Sequence, residues 1–126
     1  MKILVIDDAQ INHKLAKFHL EKEPEVSVES ALNGMDGIEM AITGMPDMIL
    51  LDVAMPELDG KETLRTLKKI KLTKHIPVIM AGTDNDMNLK EKLLAMGASD
   101  FIRKSHELPQ LFNRLKAQLD VNRQPA

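Results

Sequence analysis

The stretch MILLDVAMPELDG, running from Met48 to Gly60, decides how this sequence is read. It opens on four apolar residues, Met48 to Leu51, an unbroken run of the kind found in strands covered on both faces. The run ends abruptly on an acid, Asp52. Working outward, further short apolar runs recur, each bounded by turn residues: Ile3–Ile6, a weaker Val26–Ser30, Val78–Ala81, and Phe101–Ile102 with its flanks. Between them the apolar residues adopt helical spacing. Ile11, Leu15 and Phe18 step by four and three, and Leu64, Leu67 and Ile70 do the same. Leu89, Leu93 and Met96 continue the pattern, as do Leu108, Leu111, Leu115 and Leu119. Ala31–Ala41, opened by Asn33-Gly34, carries the remaining helix. Five rounds of strand and helix predict an α/β fold, a doubly wound five-stranded parallel sheet with five helices on its two faces. The runs at Ile3, Met48 and Val78 read as central strands, and the alternating Val26–Ser30 reads as an edge.

Composition narrows the class. The 126 residues suit one domain, expected over 1–120, with 121–126 as a polar tail or the start of a linker. Hydrophobic residues make up 44% and charged residues 29%, a globular balance rather than a disordered one. A net charge of -2 supplies no basic field for direct nucleic-acid or acidic-membrane binding. The absence of cysteine removes disulfides, thiol catalysis and thiolate metal sites together. The only aromatics are three Phe, too few for a base-stacking platform. The longest apolar run falls far short of the roughly 20 residues of a membrane span, and the start runs straight into Asp7-Asp8 without a signal-peptide pattern. A soluble, cytoplasmic protein is expected.

Open parallel sheets bind ligands beyond the carboxyl ends of their strands. Strand 1 ends in Asp7-Asp8, strand 3 in Asp52, strand 4 in Gly82-Thr83-Asp84 and strand 5 in Arg103-Lys104. Carboxylates and one ammonium therefore converge on one edge. Like charges a few ångströms apart repel, so without a cation at least one carboxyl pKa is expected to rise. A hard divalent ion such as Mg2+, binding through carboxylates, waters and a phosphoryl group, answers that repulsion. A carboxylate is also a nucleophile toward phosphorus, with a nearby Lys to neutralise phosphoryl oxygens. The plainer alternative, in which each Asp merely caps the next helix, explains several coincident strand ends poorly.

The segments Lys2–Asp8, Met48–Gly60, Ile76–Met80 and Gly97–Lys104 together resemble the receiver domain of two-component response regulators, in its chemotaxis-regulator-like form. The likeness extends over residues 1–120. It implies the flavodoxin-like strand order 2-1-3-4-5 and phosphoryl acceptance from a histidine kinase or a histidine phosphotransfer protein. It implies that Asp52 is the acceptor and that Lys104 pairs with the acyl phosphate. Asp8, Asp52 and the backbone carbonyl of Ala54 would ligate Mg2+, with Asp7 acting largely through water. Phe101 would be the aromatic rotamer switch. A downstream protein or an effector domain would receive the signal, with a homodimer through the fourth helix, fifth strand and fifth helix as a further option.

The pattern departs from the family at two positions. Gly82 stands where a Thr or Ser hydroxyl is usual, with Thr83 beside it as a substitute by register slip. Ser105 stands where Pro commonly follows the Lys, which predicts a trans bond and a remodelled loop. Other residues carry plainer readings. His13, His19, His75 and His106 lack paired metal-ligand spacing and are expected at the surface. Lys68, Lys69, Lys71 and Lys74 read as a solvated face, and most of the nine Met as core filling or loop residues. No Gly-rich loop follows a strand to cradle a nucleotide. The favoured function is a phosphoacceptor signalling module rather than an enzyme; the alternative is a pseudo-receiver that binds partners regardless of phosphorylation. A haloacid-type phosphatase would carry Asp-x-Asp at the first strand, where this chain has Asp7-Asp8.

Overall fold

A computed structural model describes residues 1–104 together with Gln110, Asn113, Arg114 and Ala117, without the side chain of Asp84. The chain runs β1 (Lys2–Ile6), α1 (Gln10–Leu20), β2 (Ser27–Ala31), α2 (Gly34–Gly44), β3 (Met48–Asp52), α3 (Gly60–Lys69), β4 (Val78–Gly82), a 3-10 helix (Asp84–Leu89), α4 (Lys90–Ala95) and β5 (Asp100–Arg103). The strands form one parallel sheet in the order β2-β1-β3-β4-β5, as expected for a flavodoxin-like fold. Of the expected fifth helix only Gln110, Asn113, Arg114 and Ala117 are described, the last three in helical conformation, and Ser105 and the tail lie outside the described residues.

Register explains the two cores. Ile6 pairs with Leu51, Leu51 with Met80, and Met80 with Phe101, so these four share one face of the sheet. With Leu4 and Ile49 they pack against residues of α2, α3 and α4, including Ala41, Leu64, Leu67 and Leu93. Ile3, Val5, Leu50, Ile79, Ala81 and Ile102 point the other way, onto Ala16 and Leu20 of α1. Both β3 and β4 are buried along their whole length, which is why their sequences run apolar without alternation. Burying such a side chain contributes about 1.5–3 kcal/mol, so strand positions are fixed tightly.

The register also places the chemistry. Asp52 pairs with Ala81, Ala81 with Ile102, and Asp7 follows the Ile6–Leu51 pair by one residue. With a side-chain period of two, Asp7, Asp52 and Lys104 therefore belong to the α1 face. Gly82, two residues after Met80, belongs to the opposite face with Phe101.

Three expectations need correction. In the stripe Ile11, Leu15 and Phe18, only Leu15 is half-buried against the sheet: Ile11 is 60% and Phe18 63% exposed, and α1 buries His13, Ala16 and Leu20 instead. The small Ala16 lets the helix approach the sheet, while Phe18 lies against the Lys22 ammonium, 4.6 Å from its ring centre. His13, expected at the surface, is buried, because its ring closes on the end of β1. Lys68 is not simply solvated: its ammonium donates to the carbonyls of Lys74 (3.1 Å) and Ile76 (2.8 Å), and burial lowers its pKa.

Helix starts follow local capping chemistry. Asn33 accepts the Asp36 N–H at 2.8 Å to open α2, and Asp59 accepts the Glu62 N–H at 2.9 Å to open α3. Before α4, Asp86 Oδ2 accepts from both the Thr83 N–H and the Thr83 hydroxyl. That closed turn takes 3-10 form, so the α-helix begins only at Lys90.

Candidate functional site

Asp7 and Asp52 are both buried at the carboxyl end of the central strands, and Asp8 beside them is exposed. One carboxylate oxygen from each of Asp7, Asp8 and Asp52 lies within 4.8 Å of the others. Lys104 reaches in from the end of β5. Its Nζ lies 2.8 Å from Asp52 Oδ1 and 3.1 Å from Asp7 Oδ2, bridging the two acids. Asp7 is further held by the Ala9 N–H on Oδ1 at 2.9 Å and by the Asn12 amide on Oδ2 at 3.0 Å. The Ala9 contact is a local turn rather than a helix cap, since Ala9 itself is the N-cap of α1 and has no side-chain cap bond, so the plainer capping reading does not account for Asp7.

The backbone around Asp52 is shaped by a glycine. A β-carbon on Gly60 would collide with the Asp52 carbonyl oxygen and stand 2.8 Å from Val53 Cα. Only glycine lets α3 begin this close to the end of β3, and the Gly60 N–H then donates to Val53 O at 2.9 Å. The Asp59-Gly60 pair is thereby explained: one residue caps α3 and the next packs it beneath the acidic strand end.

The electrostatics follow from burial. The Asp52 carboxyl is pushed up to about 6, mainly because burial disfavours its charged form, with repulsion from Asp7 adding to the rise. Lys104 and the long 3.4 Å Ala54 N–H contact pull in the opposite direction without cancelling it. The expected rise is present, but desolvation outweighs like-charge repulsion as its cause. For Lys104, burial alone would lower the pKa, and the Asp52 and Asp7 carboxylates outweigh it, so the ammonium is held above its ordinary value.

These donors suit a hard divalent cation. They are all carboxylate oxygens, they sit close enough to share one ion, and Asp8 opens the group to solvent. Mg2+ fits this chemistry, and the exposed Ala54 lies beside the cluster, with its N–H 3.4 Å from Asp52 Oδ1.

Of the three residues expected to form a switch, Gly82 ends β4 in register with Arg103, and Phe101 is 2% exposed on the same face. A β-carbon on Gly82 would lie 3.0 Å from both Cβ and Oδ2 of Asp86. The Thr83 hydroxyl donates to Asp86 Oδ2 at 3.0 Å. Asp86 was overlooked in the sequence, although Thr83-x-x-Asp86 has the spacing of a capping box. His13 was also overlooked as a neighbour of the acids; its Nε2 lies 2.6 Å from the Asp7 carbonyl oxygen.

The family model described as the response regulator receiver domain matches residues 3–116. Response regulator PleD of Caulobacter vibrioides is 37% identical over 116 residues, spanning 92% of this chain and 25% of the relative. Response regulator ArlR of Staphylococcus saprophyticus is 32% identical over 124 residues, spanning 98% of this chain and 54% of the relative. The chain therefore covers from a quarter to about half the length of these relatives. Among solved structures, the Francisella response regulator 1452 receiver domain matches with a TM-score of 0.87 at 25% identity, covering 97% of this chain and 98% of that one. The response regulator domain of Thermotoga maritima CheB matches with a TM-score of 0.81 at 29% identity, covering 99% and 98%.

Proposed function

The chain belongs to the response regulator receiver domain family, and from that premise we propose that it accepts a phosphoryl group on Asp52 from a phosphohistidine partner. The partner would be a histidine kinase or a histidine phosphotransfer protein. The observation that carries the reading is the Asp52 carboxylate, buried at the end of β3 and 2.8 Å from the Lys104 ammonium. An Asp52 oxygen attacks phosphorus as the P–N bond to the donor imidazole breaks. The electron pair returns to that ring, and an acyl phosphate remains on Asp52. Lys104, already beside Asp52 Oδ1, stays to neutralise the phosphoryl oxygens. Mg2+ held by Asp7, Asp8, Asp52 and the Ala54 carbonyl would supply further positive charge against the same oxygens. Asp7, fixed by Asn12 and the Ala9 N–H, keeps the acid cluster oriented.

In this role the protein is a signalling phosphoacceptor that assists its own transfer and hydrolysis. It acts in the cytoplasm, with residues 1–120 as the receiver and 121–126 as a tail, and it hands the signal to a protein partner or an attached effector domain. A homodimer through α4, β5 and the following helix is part of the same proposal. No described helix is long and apolar enough to cross a membrane. The second reading, a pseudo-receiver, draws on the packing of Phe101 into the space beside Gly82. Intact-mass measurement after incubation with a small-molecule phosphodonor and Mg2+ separates the two. The phosphoacceptor gains one phosphoryl group, and Asp52→Asn gains none; an unmodified wild type leaves the pseudo-receiver.

A further inference from the structure

We propose that His13 is a positioning residue for the metal site, acting through the backbone at the junction of Asp7 and Asp8. The ring sits in the first turn of α1 and is only 7% exposed. Its Nε2 lies 2.6 Å from the Asp7 carbonyl oxygen. A carbonyl only accepts, so Nε2 carries the proton and donates, which leaves Nδ1 as a bare acceptor. Among the described residues Nδ1 is buried with no hydrogen-bond partner. A buried acceptor without a donor is destabilising. An apolar side chain in the stripe with Ala16 and Leu20 would fill this place without that penalty. The imidazole therefore owes its place to the bond at Nε2, not to packing.

That bond holds the stretch of backbone from which the Asp8 side chain departs. The Asp7 carboxylate is restrained by Ala9, Asn12 and Lys104. Asp8 is exposed, and the direction in which its side chain leaves the backbone depends on the peptide plane between Asp7 and Asp8. The Asp7 carbonyl oxygen belongs to that plane. The Asp7 N–H still donates to the Ala31 carbonyl of β2 at 3.1 Å, whereas the Asp7 carbonyl takes its bond from the His13 ring, which thereby anchors the other side of the residue at the strand end. Neighbouring residues Asn12 and His13 thus grip Asp7 at its two ends, one at the carboxylate and one at the carbonyl.

The inference rests on the acid cluster binding Mg2+, as proposed above, and the experiment separates the two. Mg2+ affinity is measured by calorimetric titration for the wild type, His13→Phe, His13→Gln and His13→Asn, with melting of each metal-free protein alongside. A glutamine amide nitrogen reaches as far as Nε2, whereas an asparagine nitrogen reaches only as far as Nδ1. The dissociation constant is expected to rise about 10- to 100-fold in His13→Phe and His13→Asn, and to recover to within a few-fold of wild type in His13→Gln. A role in packing alone would move the melting temperatures without this pattern of affinities, and unchanged affinity in His13→Phe overturns the proposal. A wild type that binds no Mg2+ overturns the metal site itself, and the positioning role with it. Two-bond nitrogen–proton NMR correlations on the wild type read the tautomer without any variant, and a ring protonated at Nδ1 with a bare Nε2 overturns the proposal whatever the variants do.

Discussion

The ring of Phe101 occupies the volume that a side chain on Gly82 would need: a β-carbon there would stand 2.9 Å from Phe101 Cζ. Because the two residues lie on one face of adjacent strands, the absence of a side chain at position 82 and the burial of the ring are one fact. The aromatic is already inside the fold without phosphorylation.

Gly82→Thr is therefore expected to overpack this corner, pushing Phe101 or Asp86 aside at about 1–3 kcal/mol. Urea unfolding measures the loss, and the Phe101 ring resonances report the displacement. A phosphoryl mimic on the wild type should shift amides around Asp52 but leave Phe101 nearly unmoved. Large mimic-induced shifts at Phe101 in the wild type would refute the fixed ring.

Asp52 gives the protein a pH-dependent stability whose sign is set by its raised pKa. In the unfolded chain the carboxyl loses its proton near 3.8, and in the fold near 6. Between these values the folded state holds more protons, so stability falls as pH rises. The contribution is complete below about pH 4 and is lost as pH passes 6. A separation of about two pH units corresponds to roughly 3 kcal/mol. Lys104, with its pKa raised above that of an ordinary lysine, stays charged throughout this window and adds no slope. Metal-free wild type should thus lose stability from pH 4 to pH 7 relative to Asp52→Asn. Parallel urea curves for the two proteins across that range would count against the buried, proton-holding carboxyl.

The strand order and the acid cluster were legible because both follow from local pattern. Doubly covered strands must be apolar throughout, and acids placed directly after such runs are carried to one sheet edge. Helix orientation was not legible in the same way. On α1 the largest apolar residues, Ile11 and Phe18, made the obvious stripe, yet the helix buries His13, Ala16 and Leu20. The close approach allowed by Ala16 and the carbonyl waiting at Asp7 decide the face, and the carbonyl belongs to the end of β1, out of reach of a pattern read along the helix alone. Gly82 was legible as a missing hydroxyl. That its space is filled by Phe101 depends on the register between β4 and β5.

Mg2+ should stabilise the fold by mass action, because it binds the assembled carboxylates and not the unfolded chain. At 100 times its dissociation constant the gain is about 2.7 kcal/mol. Thermal melts with and without Mg2+ measure it, and Asp8→Ala should abolish most of the gain while leaving the Asp7–Lys104–Asp52 bridge in place. The affinity should also fall below about pH 6, where a proton competes for Asp52. A melting midpoint indifferent to Mg2+ in the wild type would remove the metal from the site.

Lys104→Met tests what the ammonium contributes at the same place. With Nζ 2.8 Å from Asp52 and 3.1 Å from Asp7, the lysine partly neutralises the carboxylates that a divalent cation would also neutralise. Removing it leaves two buried acids facing each other, so the metal-free variant should be less stable near neutral pH. Breaking a fully buried pair costs roughly 3–5 kcal/mol, and the loss here should be smaller because Lys104 is partly open to water. Acidification should recover much of it, since protonated Asp52 no longer needs a cation. Mg2+ affinity, in contrast, should rise, because a competing positive charge has gone. Phosphoryl uptake should nonetheless fall, as the group beside Asp52 that neutralises the incoming oxygens is missing. Titration calorimetry and intact-mass kinetics on the one variant read these opposite changes, and a joint fall of affinity and uptake would mean that Lys104 holds the site together rather than sharing its charge with the metal.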